Sequence, residues 1–211
     1  MREYDLIAEW YASVRIDTTG VPEATALASS LPRGSRVLDI GCGNGIPLTK
    51  ALLSGEHRVV SLDSSGAMLR HFRLNYPAMP AVQATVQSCP FIDSIFDAAV
   101  AWGIMFHLNP EDQIRAIANI SRVLKPGAPF LFTSGDEDCF HGKVSTMNGV
   151  EFRHFSYSIE TYGRVLRDHG FTLANVHADS GNNTYYLAKK ADSPSCLLQN
   201  RISLIDPRMG E

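Results

Sequence analysis

The chain has 211 residues, a formal net charge of −3 at pH 7, 45% hydrophobic residues and 19% charged residues. That is enough chain for one domain with a substantial core, and the near-neutral charge excludes a general pull toward phosphate polymers, so nucleic acid is not expected as a partner. The N-terminal stretch "MREYDLIAEWYASVRID" is charged throughout, and no segment reaches the roughly 18 uninterrupted apolar residues of a membrane span, so the expectation is a cytoplasmic protein without membrane contact.

Taken in order, the chain reads as helices near 3–12 and 21–30, a strand near 35–40, a helix near 46–54, a strand near 57–62 and a helix near 65–75. Strands near 80–85 and 96–102, a helix near 110–124, a strand near 128–133, a helix near 158–169 and strands near 171–177 and 184–190 complete it. Short runs rich in Val, Ile and Phe alternating with helical patterns indicate an α/β fold with a mostly parallel sheet. Turn chemistry agrees: "LKPG" stops the helix ending at Leu124, and Gly170 in "DHGF" caps another. The segment "TSGDEDCFHGKVSTMNGVEFRHFSYS" is too long for a minimal connection, which marks it as a functional loop or small flap. The tail 191–211 is either disordered or docks its Leu197, Leu198, Ile202 and Leu204 on a groove or a second subunit; a monomer or a homodimer fits equally. Cys42, Cys89, Cys139 and Cys196 form no CxxC pair, which suits reduced thiols and gives no zinc site; no metal is expected.

The stretch "VLDIGCGNGIPLTK" runs from a strand through Gly41, Gly43 and Gly45 toward a helix. Glycines there let a ligand approach main-chain N–H groups at the positive end of a helix, as a nucleotide-like ligand requires. The spacing is G-x-G-x-G, whereas a dinucleotide fold uses G-x-G-x-x-G. The next strand, in "HRVVSLDSS", ends at Asp63, where a carboxylate can accept both hydroxyls of a ribose; a helix-capping Asp is the alternative. NAD and S-adenosylmethionine both carry that diol.

With "RVLDIGCGNG" upstream of Asp63, and "FDAAVAWGIMFHL" and "ISRVLKPGAPFLFTSG" downstream, the chain resembles the class I S-adenosylmethionine-dependent methyltransferases over roughly residues 4–190, most of all small bacterial members with a "YDxIAxWY" helix. The resemblance implies a Rossmann-like, seven-stranded, mostly parallel sheet with helices on both faces, S-adenosylmethionine as cofactor and S-adenosylhomocysteine as product. It further implies an N-terminal helical lid in residues 1–30 ahead of a core in 31–190. Gly41, Cys42 and Gly43 would line the methionine portion with Asp39 behind them. Asp63 would hold the ribose, and Ser64 and Met68 would flank the adenine. The family usually has an Asp where "QATVQSCPF" has Thr85, leaving Val86 to meet the ring through its backbone. Ala101, Trp102 and His107 would border the methyl group, and Tyr11 and Arg15 of the lid would face the cofactor, with Arg15 able to pair with its carboxylate.

Methyl transfer needs in-line positioning, exclusion of water and, for some acceptors, removal of a proton. His107, His154 and His141 are the candidate bases, the first two preferred, and each has a structural histidine as its alternative. Glu151 and Tyr157 supply polar handles and Phe106, Phe152 and Trp102 apolar walls for a small organic acceptor. The functional expectation is transfer of a methyl group to an O or N atom of a small molecule. The alternatives are a non-catalytic S-adenosylmethionine-binding regulatory protein and a nicotinamide-dependent oxidoreductase, the latter disfavoured by the glycine spacing and by the lack of a Tyr-x-x-x-Lys pair near the active edge.

Overall fold

A computed structural model describes residues 2–15, 18–179 and 183–192. Two helices, α1 (Arg2–Val14) and α2 (Val21–Ser30), precede β1 (Arg36–Ile40), α3 (Leu48–Leu53), β2 (Arg58–Asp63), α4 (Gly66–Asn75), β3 (Ala81–Gln83) and β4 (Ala98–Ala101). Then come α5 (Pro110–Val123), β5 (Pro129–Ser134), β6 (Cys139–Met147), β7 (Val150–Ser156), α6 (Ile159–Asp168), β8 (Phe171–Ala178) and β9 (Thr184–Lys190). Seven strands form one sheet in the order β3-β2-β1-β4-β5-β9-β8, and β9 runs antiparallel to both β5 and β8. The order reverses between β1 and β4, where the two halves of an open α/β sheet part to leave a crevice at the carboxyl ends of the strands.

Alternation along the strands fills both faces. Leu38, Phe130 and Phe132 pack toward Ile117, Ile120 and Tyr162 of α5 and α6, whereas Val37, Val59 and Leu131 pack toward Leu27 and Leu52 of α2 and α3. Helix α2 therefore belongs to a core layer. Helix α1 stands apart from it, laying Ala8 against Ala67 and Met68 of α4, with Tyr4 and Tyr11 on the same face.

Two local details differ from the sequence expectation. Helix α3 begins at Leu48 with Pro47 as its N-cap, because the turn closed by the Gly45 N–H on the Cys42 carbonyl at 2.8 Å delays the helix. The segment between β5 and α6, expected as a loop or flap, is the antiparallel hairpin β6–β7, turning at Asn148 and Gly149 with φ of 46° and 77°. Two left-handed residues in succession give the turn whose twist matches a two-residue hairpin. Cys196 and the apolar cluster of the tail lie outside the described residues. Cys42, Cys89 and Cys139 are free thiols, and no helix among the described residues is long and apolar enough to cross a membrane.

Candidate active site

The crevice at the carboxyl ends of β1, β2 and β4 holds a cavity of about 450 Å³, within the range of small-ligand sites. The loop after β1 shapes its floor. Gly41 has φ of 70°, and a Cβ there would meet Ile104 Cγ2 at 1.9 Å, so a side chain is excluded by packing as well as by backbone conformation. Gly43 and Cys42 line the cavity, while Gly45 is required by Tyr76, whose ring a Cβ at Gly45 would meet at 2.5 Å.

Asp63 ends β2 and joins the two strand-end loops. Its Oδ2 accepts the Gly43 N–H at 2.8 Å and its Oδ1 the Ser65 N–H at 2.8 Å. Burial pushes its pKa up, opposed by these two N–H donors. The N-cap of α4 is Ser65, whose Oγ accepts the Met68 N–H at 3.0 Å, so Asp63 is no helix cap. Ser65 Oγ donates in turn to Asp5 at 2.6 Å, fastening α1 to the loop that carries Asp63. Asp39, behind the glycine loop, accepts from Thr49 Oγ1 at 2.5 Å, and burial raises its pKa to about 6. Burial likewise pushes the Cys42 thiol far up, so it is not a thiolate nucleophile.

Ser64, Met68, Thr85 and Val86 line the cavity on the β2 and β3 side, and Tyr11, Arg15 and Trp102 line it as well. The Arg15 guanidinium lies 4.5 Å from the centre of the Trp102 ring and 5.7 Å from that of Tyr11. His107 also lines the wall, and its Nε2 pairs with the Tyr4 hydroxyl at 3.1 Å. Burial, with His154 beside it, lowers the His107 pKa to about 3, and burial pushes the Tyr4 phenol upward. Both groups are therefore neutral at physiological pH, linked by one hydrogen bond.

Six expected residues stand off this cavity. Ala101 is fully buried in the α5-side core, because alternation along β4 turns it away while Trp102 faces the crevice. Phe106 and His154 lie behind His107, the first tilted and the second edge-on, at ring distances of 4.6 and 4.9 Å. Glu151 lies along a second cavity of about 220 Å³, shared with Glu3, Phe152 and Arg153; His107 lines both. Phe152 also packs its ring on Tyr4 at 5.1 Å. Tyr157 is buried, donating its hydroxyl to the Pro110 carbonyl at 2.7 Å. His141 is exposed on β6, and Trp10 faces outward from α1. Among the described residues no group of three His, Cys, Asp or Glu side chains could hold a metal ion.

Sequence reasoning missed Asn44, Gln87, Ile104, Leu108, Asn109, Asp112 and Phe155 as wall residues, and gave Tyr4 no place in the wall. The spacing of Tyr4, Ile7, Ala8 and Tyr11 on α1 was a usable signal for an inward face. For Leu108 and Phe155 there was none. Buried Gln113 holds both, donating to their carbonyls at 2.9 and 3.4 Å while its Oε1 accepts the Tyr162 hydroxyl at 2.5 Å.

Comparison with known proteins agrees with this geometry. A family model for a methyltransferase domain matches residues 37–127. A probable S-adenosylmethionine-dependent methyltransferase of Mycolicibacterium smegmatis is 28% identical over 161 residues, covering 71% of this chain and 62% of its own length. The ubiquinone/menaquinone biosynthesis C-methyltransferase of Erwinia tasmaniensis is 30% identical over 190 residues, covering 72% of each chain. In fold, the chain is similar to the Burkholderia thailandensis 1,6-didemethyltoxoflavin-N1-methyltransferase, with a TM-score of 0.65, 22% identity and coverage of 83% of this chain and 80% of the other. With 30% identity over nearly three quarters of a relative and the strand order described above, the chain belongs to the class I S-adenosylmethionine-dependent methyltransferases.

Proposed function

We propose that this protein transfers the methyl group of S-adenosylmethionine to an oxygen or nitrogen atom of a small organic molecule. The observation that carries the reading is the hydrogen bond between Gly43 and Asp63, which sets a side-chain-free loop and a ribose-binding carboxylate side by side in one cavity. The residues fit the cofactor. A Cβ at Gly43 would come 3.2 Å from the Met68 methyl group, narrowing the cradle, and each Asp63 oxygen accepts one N–H and keeps capacity for a further donor. In this reading Gly41, Cys42 and Gly43 hold the methionine portion by main-chain groups, Asp63 the ribose, and Ser64, Met68, Thr85 and Val86 the adenine. Gln87 supplies the polar side chain next to Thr85 that the family's usual Asp would otherwise provide. Arg15 pairs with the cofactor's carboxylate, and α1 serves as the lid over the core, with Asp5 as its fastening.

The cofactor, when bound, supplies a methyl group already activated on a sulfonium, so this chain's task is alignment and exclusion of water. Tyr4, Tyr11, Trp102, Ile104 and Phe155 give the mostly aromatic wall that suits a small organic acceptor. His107 is held neutral and orients the acceptor by a hydrogen bond; with a pKa near 3 it is too weak a base to hold the displaced proton, which passes to solvent. His154 acts from behind, through its ring contact with His107.

The test is calorimetric titration with S-adenosylhomocysteine and with NAD, followed by incubation with S-adenosylmethionine and fractionated metabolite pools. Binding of the first ligand alone, and a metabolite heavier by one methylene, are expected. Equal or tighter binding of NAD overturns the reading, and tight cofactor binding with no methylated product from any pool overturns the enzymatic part of it.

A further inference from the structure

Trp102 walls the cavity and also reaches, on the α2 side of the sheet, to Tyr185 of β9. Its indole N–H donates to the Tyr185 hydroxyl at 3.4 Å. Indole nitrogen can only donate, so the Tyr185 oxygen must accept there and spend its own proton elsewhere. It donates to Asp179 Oδ2 at 3.0 Å. The Asp179 carboxylate is itself pinned by Asn183, through the main-chain N–H at 2.9 Å and the side-chain amide at 2.9 and 3.2 Å.

The direction of every bond in this chain is fixed, running from indole to phenol to carboxylate. Successive hydrogen bonds polarise one another, and here the carboxylate draws positive charge toward its own end. The indole ring is left richer in electrons, and the Arg15 guanidinium lies over that ring at 4.5 Å. A more electron-rich face holds a cation more strongly. Packing also confines the indole and the phenol that accepts from it. A Cβ at Gly20, which has φ of 81°, would come 2.8 Å from Trp102 Nε1, and His177 stacks parallel on the Tyr185 ring at 5.0 Å while meeting Glu23 of α2 at 3.2 Å.

We propose that Tyr185, oriented by Asp179, is a positioning residue that fixes Trp102 and through it holds Arg15 ready for the cofactor's carboxylate. The inference rests on the cofactor reading above. Neither Tyr185 nor Asp179 lines the cavity, so each acts only through Trp102.

The test compares two ligands that share the nucleoside half: S-adenosylhomocysteine, which carries the amino-acid carboxylate, and 5′-methylthioadenosine, which lacks it. Tyr185→Phe and Asp179→Asn should each weaken S-adenosylhomocysteine about three- to tenfold while leaving 5′-methylthioadenosine within about twofold. In an Arg15→Met background the same substitutions should cost nothing further, because the group they serve is gone. With Trp10→Phe leaving Trp102 as the sole indole, Tyr185→Phe should shift the emission to shorter wavelength, reporting loss of the N–H acceptor independently of any ligand. Equal losses for both ligands, additive losses with Arg15→Met, or an unchanged emission would overturn the proposal. If the unmodified protein binds neither ligand, it is the cofactor reading that fails, and with it this one. Asp179→Asn keeps the shape of the pinned side chain, so it separates the electrostatic effect from misfolding of Tyr185→Phe.

Discussion

The carboxylate of Asp63 bridges the Gly43 and Ser65 N–H groups at 2.8 Å each, so one side chain sets the separation between the glycine loop and the start of α4. Asp63→Ala should weaken S-adenosylhomocysteine by about 10- to 1000-fold, on the estimate that hydrogen bonds to a charged acceptor contribute roughly 1.5–3 kcal/mol each, less what water recovers. Calorimetry measures this directly. Unchanged affinity would make Asp63 a loop brace and nothing more.

A pH dependence follows from His107. Its pKa is about 3 in the folded protein against 6.5 ordinarily, so between those values the unfolded chain binds the extra proton and stability falls as pH falls. Asp39, raised to about 6 from 3.8, has the opposite sign, gaining stability as pH falls through that window. The two are separated by difference: melting temperatures of His107→Gln should decline less than those of the unmodified protein between pH 6.5 and 5. The His107 contribution is at most about 1.4 kcal/mol per pH unit. Parallel declines would show that His107 is not buried in solution.

Tyr4→Phe keeps the ring packed against Phe152 and Tyr11 but removes the partner of His107 Nε2. S-adenosylhomocysteine affinity should stay within about threefold, while turnover of an identified acceptor falls by roughly 10- to 100-fold because His107 loses its fixed orientation. His107→Ala should cost at least as much, and His154→Ala, lying off the cavity, about threefold or less. A larger loss for His154→Ala than for His107→Ala would reverse the roles given to them.

Hydrogen exchange tests the lid. Asp5 takes the Ser65 hydroxyl and the Ala67 N–H at 2.6 and 3.0 Å, next to the carboxylate that would meet the ribose. Exchange over residues 2–15 should slow on addition of S-adenosylhomocysteine, and Asp5→Ala should abolish most of that slowing. Protection already complete without ligand would make α1 a fixed wall.

The core strands were legible because their chemistry is local. "RVLDI", "RVVSLD" and "PFLFTS" are short apolar runs bounded by turn residues, and the glycine loop and Asp63 follow directly at strand ends, so sequence spacing alone places them together once parallel pairing is granted. The hairpin β6–β7 escaped because β6 is exposed or half-buried along its whole length and so lacks alternation, although Asn148-Gly149 is a strong short-range turn signal. Other misses have a different origin. Tyr4 meets His107 across 103 positions and Trp102 meets Tyr185 across 83, and such partners are chosen by how α1 lies on α4 and how β9 inserts beside β5. Sequence by itself determined the α/β fold, the glycine loop and the strand-end carboxylate beside it, since those depend on periodicity and on the backbone freedom of glycine. Tertiary structure alone decided that His107 is buried and paired with Tyr4, and that Ala101 and Tyr157 belong to the core, because burial and partner geometry are set by packing between elements distant in the chain.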